Sequence, residues 1–140
     1  MACLLLVSGC AKKETTAAPG ASPSASPAPL PFHKAVDIAF NDVAATTSGA
    51  PLLRLGFTVH DTSKDPVQCD PSEFAITLSD GTVIQADQSA ENKCTPDALD
   101  PGATANAVMF FVLKSGYTGP ITLSMSANDA IVGKAGTTVK

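Results

Sequence analysis

Leu53-Arg54-Leu55-Gly56-Phe57-Thr58-Val59-His60 decides the fold. Leu53, Leu55, Phe57 and Val59 stand at every second position, with Arg54, Gly56, Thr58 and His60 between them. Successive side chains of a strand point to opposite faces, so this alternation sets four apolar groups on a core and the rest toward solvent. A helix would need its apolar residues three and four apart. The same period extends in both directions. Val36, Ile38 and Phe40 alternate with Asp37, Ala39 and Asn41, and Ser48-Gly49-Ala50-Pro51 breaks the chain before the next strand. Downstream, Phe74, Ile76 and Leu78 repeat the pattern, and Asp80-Gly81 predicts a hairpin into Thr82-Val83-Ile84.

Leu99-Asp100-Pro101-Gly102 predicts a tight turn. Ala107 to Leu113 is almost continuously apolar and reads as a central strand covered on both faces. Tyr117-Thr118-Gly119-Pro120 turns the chain into Ile121, Leu123 and Met125, and Ala130–Val132 with Thr137–Val139 supply a last short edge. About seven strands with no helical period predict an all-β fold: an antiparallel, immunoglobulin-like β-sandwich over residues 32–140. It is not a true immunoglobulin domain. The chain has no Trp, and Cys69 and Cys94 are too close in sequence for that domain's bridge between sheets.

The amino terminus reads as an address. In Met1-Ala2-Cys3-Leu4-Leu5-Leu6-Val7-Ser8-Gly9-Cys10, an apolar run meets two small residues and a cysteine. Val7-Ser8-Gly9-Cys10 resembles the bacterial lipobox, in which a peptidase cuts before a cysteine whose thiol takes a diacylglycerol. That resemblance makes 1–9 a lipoprotein signal peptide and Cys10 the lipidated residue. Two or three acyl chains hold a soluble domain stably, each buried methylene adding about 0.8 kcal/mol. A signal peptide usually opens with a basic residue, and none precedes Lys12, which is expected if the start codon lies further upstream. Thr15 to Pro31 consists almost wholly of Thr, Ala, Pro, Ser and Gly. With no apolar face to bury, residues 10–31 are expected to form a disordered, semi-extended tether of up to about 3.1 Å per residue.

The 140 residues suit one domain, and nine basic against thirteen acidic residues give a formal charge of −4. That balance argues against a nucleic-acid partner. No run reaches the roughly 20 apolar residues of a membrane-spanning helix. The expected location is the outer side of the cell membrane, held there by lipid. With Cys3 lost and Cys10 acylated, Cys69 and Cys94 remain as a pair in an oxidising compartment, and they predict a structural disulfide. The closed loop of about 25 residues corresponds to roughly 3.5 kcal/mol in the chain-entropy account. The bond is expected to pin the 86–99 loop beside the strand that starts near Phe74.

One order of phrases resembles a known family. Pro71-Ser72-Glu73-Phe74 is followed by Leu78-Ser79-Asp80-Gly81, Leu99-Asp100-Pro101-Gly102 and Val108-Met109-Phe110-Phe111-Val112. This order is similar to the immunoprotective extracellular, immunoglobulin-like family of Gram-positive cell-envelope lipoproteins. The likeness runs from about Val36 to Met125, roughly two thirds of the chain. It implies an exported, non-catalytic domain and transfers no catalytic residues.

Chemistry is sparse. The two histidines are His33, at the linker edge, and His60, at a strand end beside Asp61. No Gly-x-Ser-x-Gly elbow and no glycine-rich phosphate loop is present, so neither a catalytic residue nor a cofactor is expected. Asp61, Asp65, Asp70 and Glu73 place four carboxylates in thirteen residues, which raises an alternative: calcium or zinc binding, or hydrolysis, at the acidic 61–73 loop. His33, His60, Met109 and Met125 would be a copper set only if the two methionines left the core. The function expected is a binding domain for a protein or cell-wall ligand. Its exposed loops are expected at 61–72, 86–98 and 115–119, with Tyr117, Asp61 and Asp65 as candidate contact residues.

Overall fold

The computed structural model describes residues 29–45, 51–114 and 116–140. The signal segment, Cys10 and nearly all of the linker therefore lie outside the described residues. Among the described residues ten strands run in the order β1 (Val36–Ala45), β2 (Leu52–Asp61), β3 (Val67–Gln68), β4 (Phe74–Leu78), β5 (Val83–Gln85), β6 (Lys93–Thr95), β7 (Ala98–Leu99), β8 (Thr104–Val112), β9 (Gly119–Ala127) and β10 (Ala130–Val139). A 3-10 turn, Pro71–Glu73, precedes β4. One sheet has the order β1-β2-β8-β6 and the other β10-β9-β4-β5, while β3 and β7 make a two-stranded ribbon. All named strand pairs are antiparallel. The sandwich expected from the alternation is present. Its strand count exceeds seven because β3, β6 and β7, at two or three residues, are too short to show a period.

The core lies between the two sheets. Leu53, Leu55, Phe57 and Val59 of β2 and Ala105, Ala107, Met109 and Phe111 of β8 form its first layer. Phe74, Ile76 and Leu78 of β4 and Ile121, Leu123 and Met125 of β9 form the second. The Phe57 and Phe74 rings join the layers with centroids 5.3 Å apart. Burying each such large side chain contributes about 1.5–3 kcal/mol.

Turn chemistry closes the hairpins as the residues dictate. Gly81, at φ +90°, and the Asp80 carboxylate, which accepts from the Thr82 amide at 2.9 Å, shape the turn between β4 and β5. Pro101 and Gly102, at φ +87°, form a type II turn closed by the Ala103 amide on the Asp100 carbonyl at 2.8 Å. Asn128 and Asp129, at φ 51° and 60°, make the two-residue turn between β9 and β10. In β1, Phe40 pairs with Phe57 and Asp42 with Gly56, so Asn41 is the extra residue of a bulge and Val43 returns to the core side.

Two expectations need correction. β8 is central in its sheet but not covered on both faces: Val108 and Phe110 are half-buried and Val112 is 48% exposed. No helix or second layer lies over that side among the described residues, because both sheets of a two-layer sandwich keep one face outward. The last edge is not short. β10 pairs along its whole length with β9. Its pattern is hard to read because Gly133 and Ala135 stand at inward positions where larger apolar residues would mark a strand.

Candidate binding surfaces

Asp61 continues the odd-numbered phase of Leu53–Val59, so its side chain points inward at the end of β2 and is wholly buried. One oxygen accepts from the Ser63 amide at 2.8 Å and the Ser63 hydroxyl at 2.7 Å, and the other has no partner. Asp61 therefore belongs to the interior and not to an exposed loop. His60 points the opposite way, its Nδ1 lying 2.9 Å from the Thr104 hydroxyl. Neighbours on one strand face opposite sides, so His60 and Asp61 cannot act as a catalytic pair.

The rest of the acidic loop is engaged locally. Asp65 is exposed, and its amide donates to the Ser63 hydroxyl at 3.3 Å. The Asp70 carboxylate accepts from the Ser72 amide at 2.8 Å and hydroxyl at 2.6 Å, and these bonds hold its pKa below the usual value. Glu73 lies in a groove of about 350 Å³ between this loop and the β9–β10 hairpin, with Asp65, Gln68 and Asn128 also on its walls. Burial raises the Glu73 pKa, and the neighbouring Asp70 charge adds to the effect. Among the described residues no three His, Cys, Asp or Glu side chains converge on a point that could hold a metal ion. The four carboxylates counted from sequence thus divide into one turn-former, Asp70, one buried group, Asp61, and two on the groove wall, Asp65 and Glu73.

Tyr117 packs its ring partly against the core. Its hydroxyl donates to the Pro120 carbonyl at 2.8 Å and accepts from the Ser79 amide at 3.3 Å. The first bond closes the turn before β9 and the second ties that turn to the β4–β5 turn, where Lys114 and Asp80 also pair at 3.5 Å. Met109 and Met125 are in the core, and His33 is exposed beside β10, so the copper set is dispersed.

Cys69 and Cys94 form the disulfide, with Cα atoms 6.0 Å apart. Cys94 lies in the edge strand β6, and Cys69 lies on the segment entering β4 in the other sheet. The Cys69 amide also donates to the Asp97 carbonyl at 2.7 Å, so the loop is pinned where the sequence predicts.

The surface missed in the sequence is the outer face of β1-β2-β8-β6. Val108 and Phe110 form the floor of an open groove of about 330 Å³ walled by Arg54, Glu91 and Lys93. Arg54 is the cross-strand partner of Phe110 and ion-pairs with Asp42 of β1. Its signal is the almost continuously apolar run Ala107 to Leu113, whose outward positions are apolar as well as its inward ones.

Comparison with solved structures places this architecture. The chain is similar to the secreted protein MPT63 of Mycobacterium tuberculosis, with a TM-score of 0.51 and 11% identity, covering 69% of this chain and 79% of that one. The fold is an immunoglobulin-like β-sandwich. The chain is also similar to the candidate lipoprotein YcdA of Bacillus subtilis, with a TM-score of 0.53 and 17% identity over 74% of this chain. It spans 35% of YcdA's length. Neither a protein-family model nor a curated protein sequence matches the chain. At these identities the likeness is one of fold.

Proposed function

We propose that the chain is a cell-envelope lipoprotein, held at the outer side of the membrane by acyl groups on Cys10 and presenting a non-catalytic binding sandwich on a proline-rich tether. The observation that carries this reading is the Cys69–Cys94 disulfide, which uses the two cysteines left after the lipobox and needs an oxidising compartment. The sandwich shared with a secreted mycobacterial protein and a candidate Bacillus lipoprotein supports it. So does the phrase order from Pro71 to Val112, which favours the immunoprotective extracellular, immunoglobulin-like family. A binding role fits a fold whose Asp70, Asp80 and Asp87 carboxylates serve its own turns and whose His60 and Asp61 face apart. The ligand class in this reading is a protein or a cell-wall polymer, met without turnover.

The test is incorporation of radiolabelled palmitate into the chain expressed in a Gram-positive host. The label should enter the parent chain and be absent from Cys10→Ala, and Cys69 and Cys94 should resist thiol alkylation until reduced. An unlabelled cytosolic product with both thiols free would end this reading.

A further inference from the structure

Strand β8 carries more apolar surface than one sandwich hides. Its inward row, Ala105, Ala107, Met109 and Phe111, fills the core, as the fold requires. Its outward row, Val108, Phe110 and Val112, is apolar as well, although a strand with one wet face needs apolar groups only at alternate positions. Leu52, paired with Val112 across β2, extends the row. The strand is not an edge, since β2 and β6 flank it.

The charges around this row are ordered. On the β2 side, Arg54 stands directly across from Phe110, with Asp42 paired to it beyond. On the β6 side stand Glu91 and Lys93, with Lys93 across from Val108 and both exposed. Neither has an ion-pair partner among the described residues.

We propose that this face is where two copies of the chain associate, about a twofold axis parallel to β8. That operation lays Val108, Phe110 and Val112 on their own counterparts and exchanges the β2 and β6 sides. Arg54 of one copy then faces Glu91 of the second, and Lys93 comes over Gly56, beside Asp42. A twofold axis running across the strands would instead set Arg54 on Arg54 and Glu91 on Glu91. The charge pattern therefore selects the first axis. Four strands about 4.8 Å apart give a face roughly 19 Å wide, which suits a small, reversible interface. This inference does not depend on the lipid anchor.

Sedimentation equilibrium of the full chain carrying Cys3→Ser and Cys10→Ser tests it, across about 5 µM to 1 mM, a range suited to a small interface. A reversible monomer–dimer equilibrium is expected. Val112→Lys sets like charges against each other at an exposed position and should weaken the dimer at least about tenfold with little change in melting temperature. Arg54→Glu and Glu91→Arg should each weaken it, and the double variant should recover to within a few-fold of the parent. A chain that stays monomeric, a dimer indifferent to Val112→Lys, or a double variant no tighter than the single ones would each overturn the proposal.

Discussion

Asp61, Asp70, Asp80 and Asp87 each accept the amide hydrogen of the residue two positions on, at 2.8, 2.8, 2.9 and 3.0 Å, and that residue is Ser63, Ser72, Thr82 or Ser89. This Asx turn satisfies a loop amide locally and lowers the pKa of Asp70, Asp80 and Asp87, because the bonds favour the charged form. Glu73 has no such partner for one buried oxygen, and desolvation moves its pKa up. A carboxyl whose folded pKa is raised binds its proton more tightly folded than unfolded. Stability therefore falls as pH rises from about 4.5 through the raised value, and the cost persists above it. Asp70 has the opposite sign: its contribution is complete above 3.8 and is lost as pH falls below that value. Glu73→Gln should accordingly melt higher than the parent at pH 7, and the gap should close as pH falls toward 4. Thermal melts across that range read it directly, and a gap independent of pH would show that ionisation is not the cause. The Asp-x-Ser/Thr spacing was legible in the sequence, and so was the inward phase of Asp61. Counting carboxylates concealed both.

The alternation in β2, β4 and β9 was readable because large aliphatic side chains marked every inward position. β10 was not, and the reason lies at the seam where it meets β1. A Cβ on Gly133 would clash with Val36 Cγ2 and stand 3.2 Å from the Val36 carbonyl, so the two edges approach only because that position has no side chain. The tertiary contact therefore erased the residue that would have announced the strand. β8 failed in the other direction, since its apolar outer row mimicked a doubly covered strand while following from no contact within one sandwich. At Gly133 the expected outcome is specific. Gly133→Ala must push β1 away from β10 and should cost about 1–3 kcal/mol, as overpacked core sites do. Gly136→Ala is the control: its added Cβ would meet only the Ile121 carbonyl, at 3.8 Å, and the melting temperature should hold or rise slightly. Equal losses at both sites would mean that strand propensity, not the seam, sets the cost.

Across the whole molecule, short segments bonded to both layers close each open side of the sandwich. On one side, the His33 and Ala35 amides donate to Ile131 and Val132 of one sheet, and Val36 then pairs with Asp61 in the other. On the other side, the Ala86 amide donates to Phe74 and the next amide, Asp87, to Phe110. The disulfide joins the layers on this second side, between β6 and the entry to β4. Hydrogen bonds alone already hold that region, through Cys69 with Asp97 and the pairing of Val67 with Leu99. Cutting the bond should therefore leave the native arrangement in place and act mainly by freeing the unfolded chain. For a separation of 25 residues the loop-entropy account gives about 3.5 kcal/mol. For a domain near 100 residues that lowers Tm by at least about 10 °C. Reduced protein, or the Cys69→Ala/Cys94→Ala variant, should keep its far-ultraviolet dichroism at 20 °C and melt that much earlier. An unchanged Tm would show that the bridge adds no constraint. A lost spectrum would show that the hydrogen bonds around Cys69 cannot hold the second side without it.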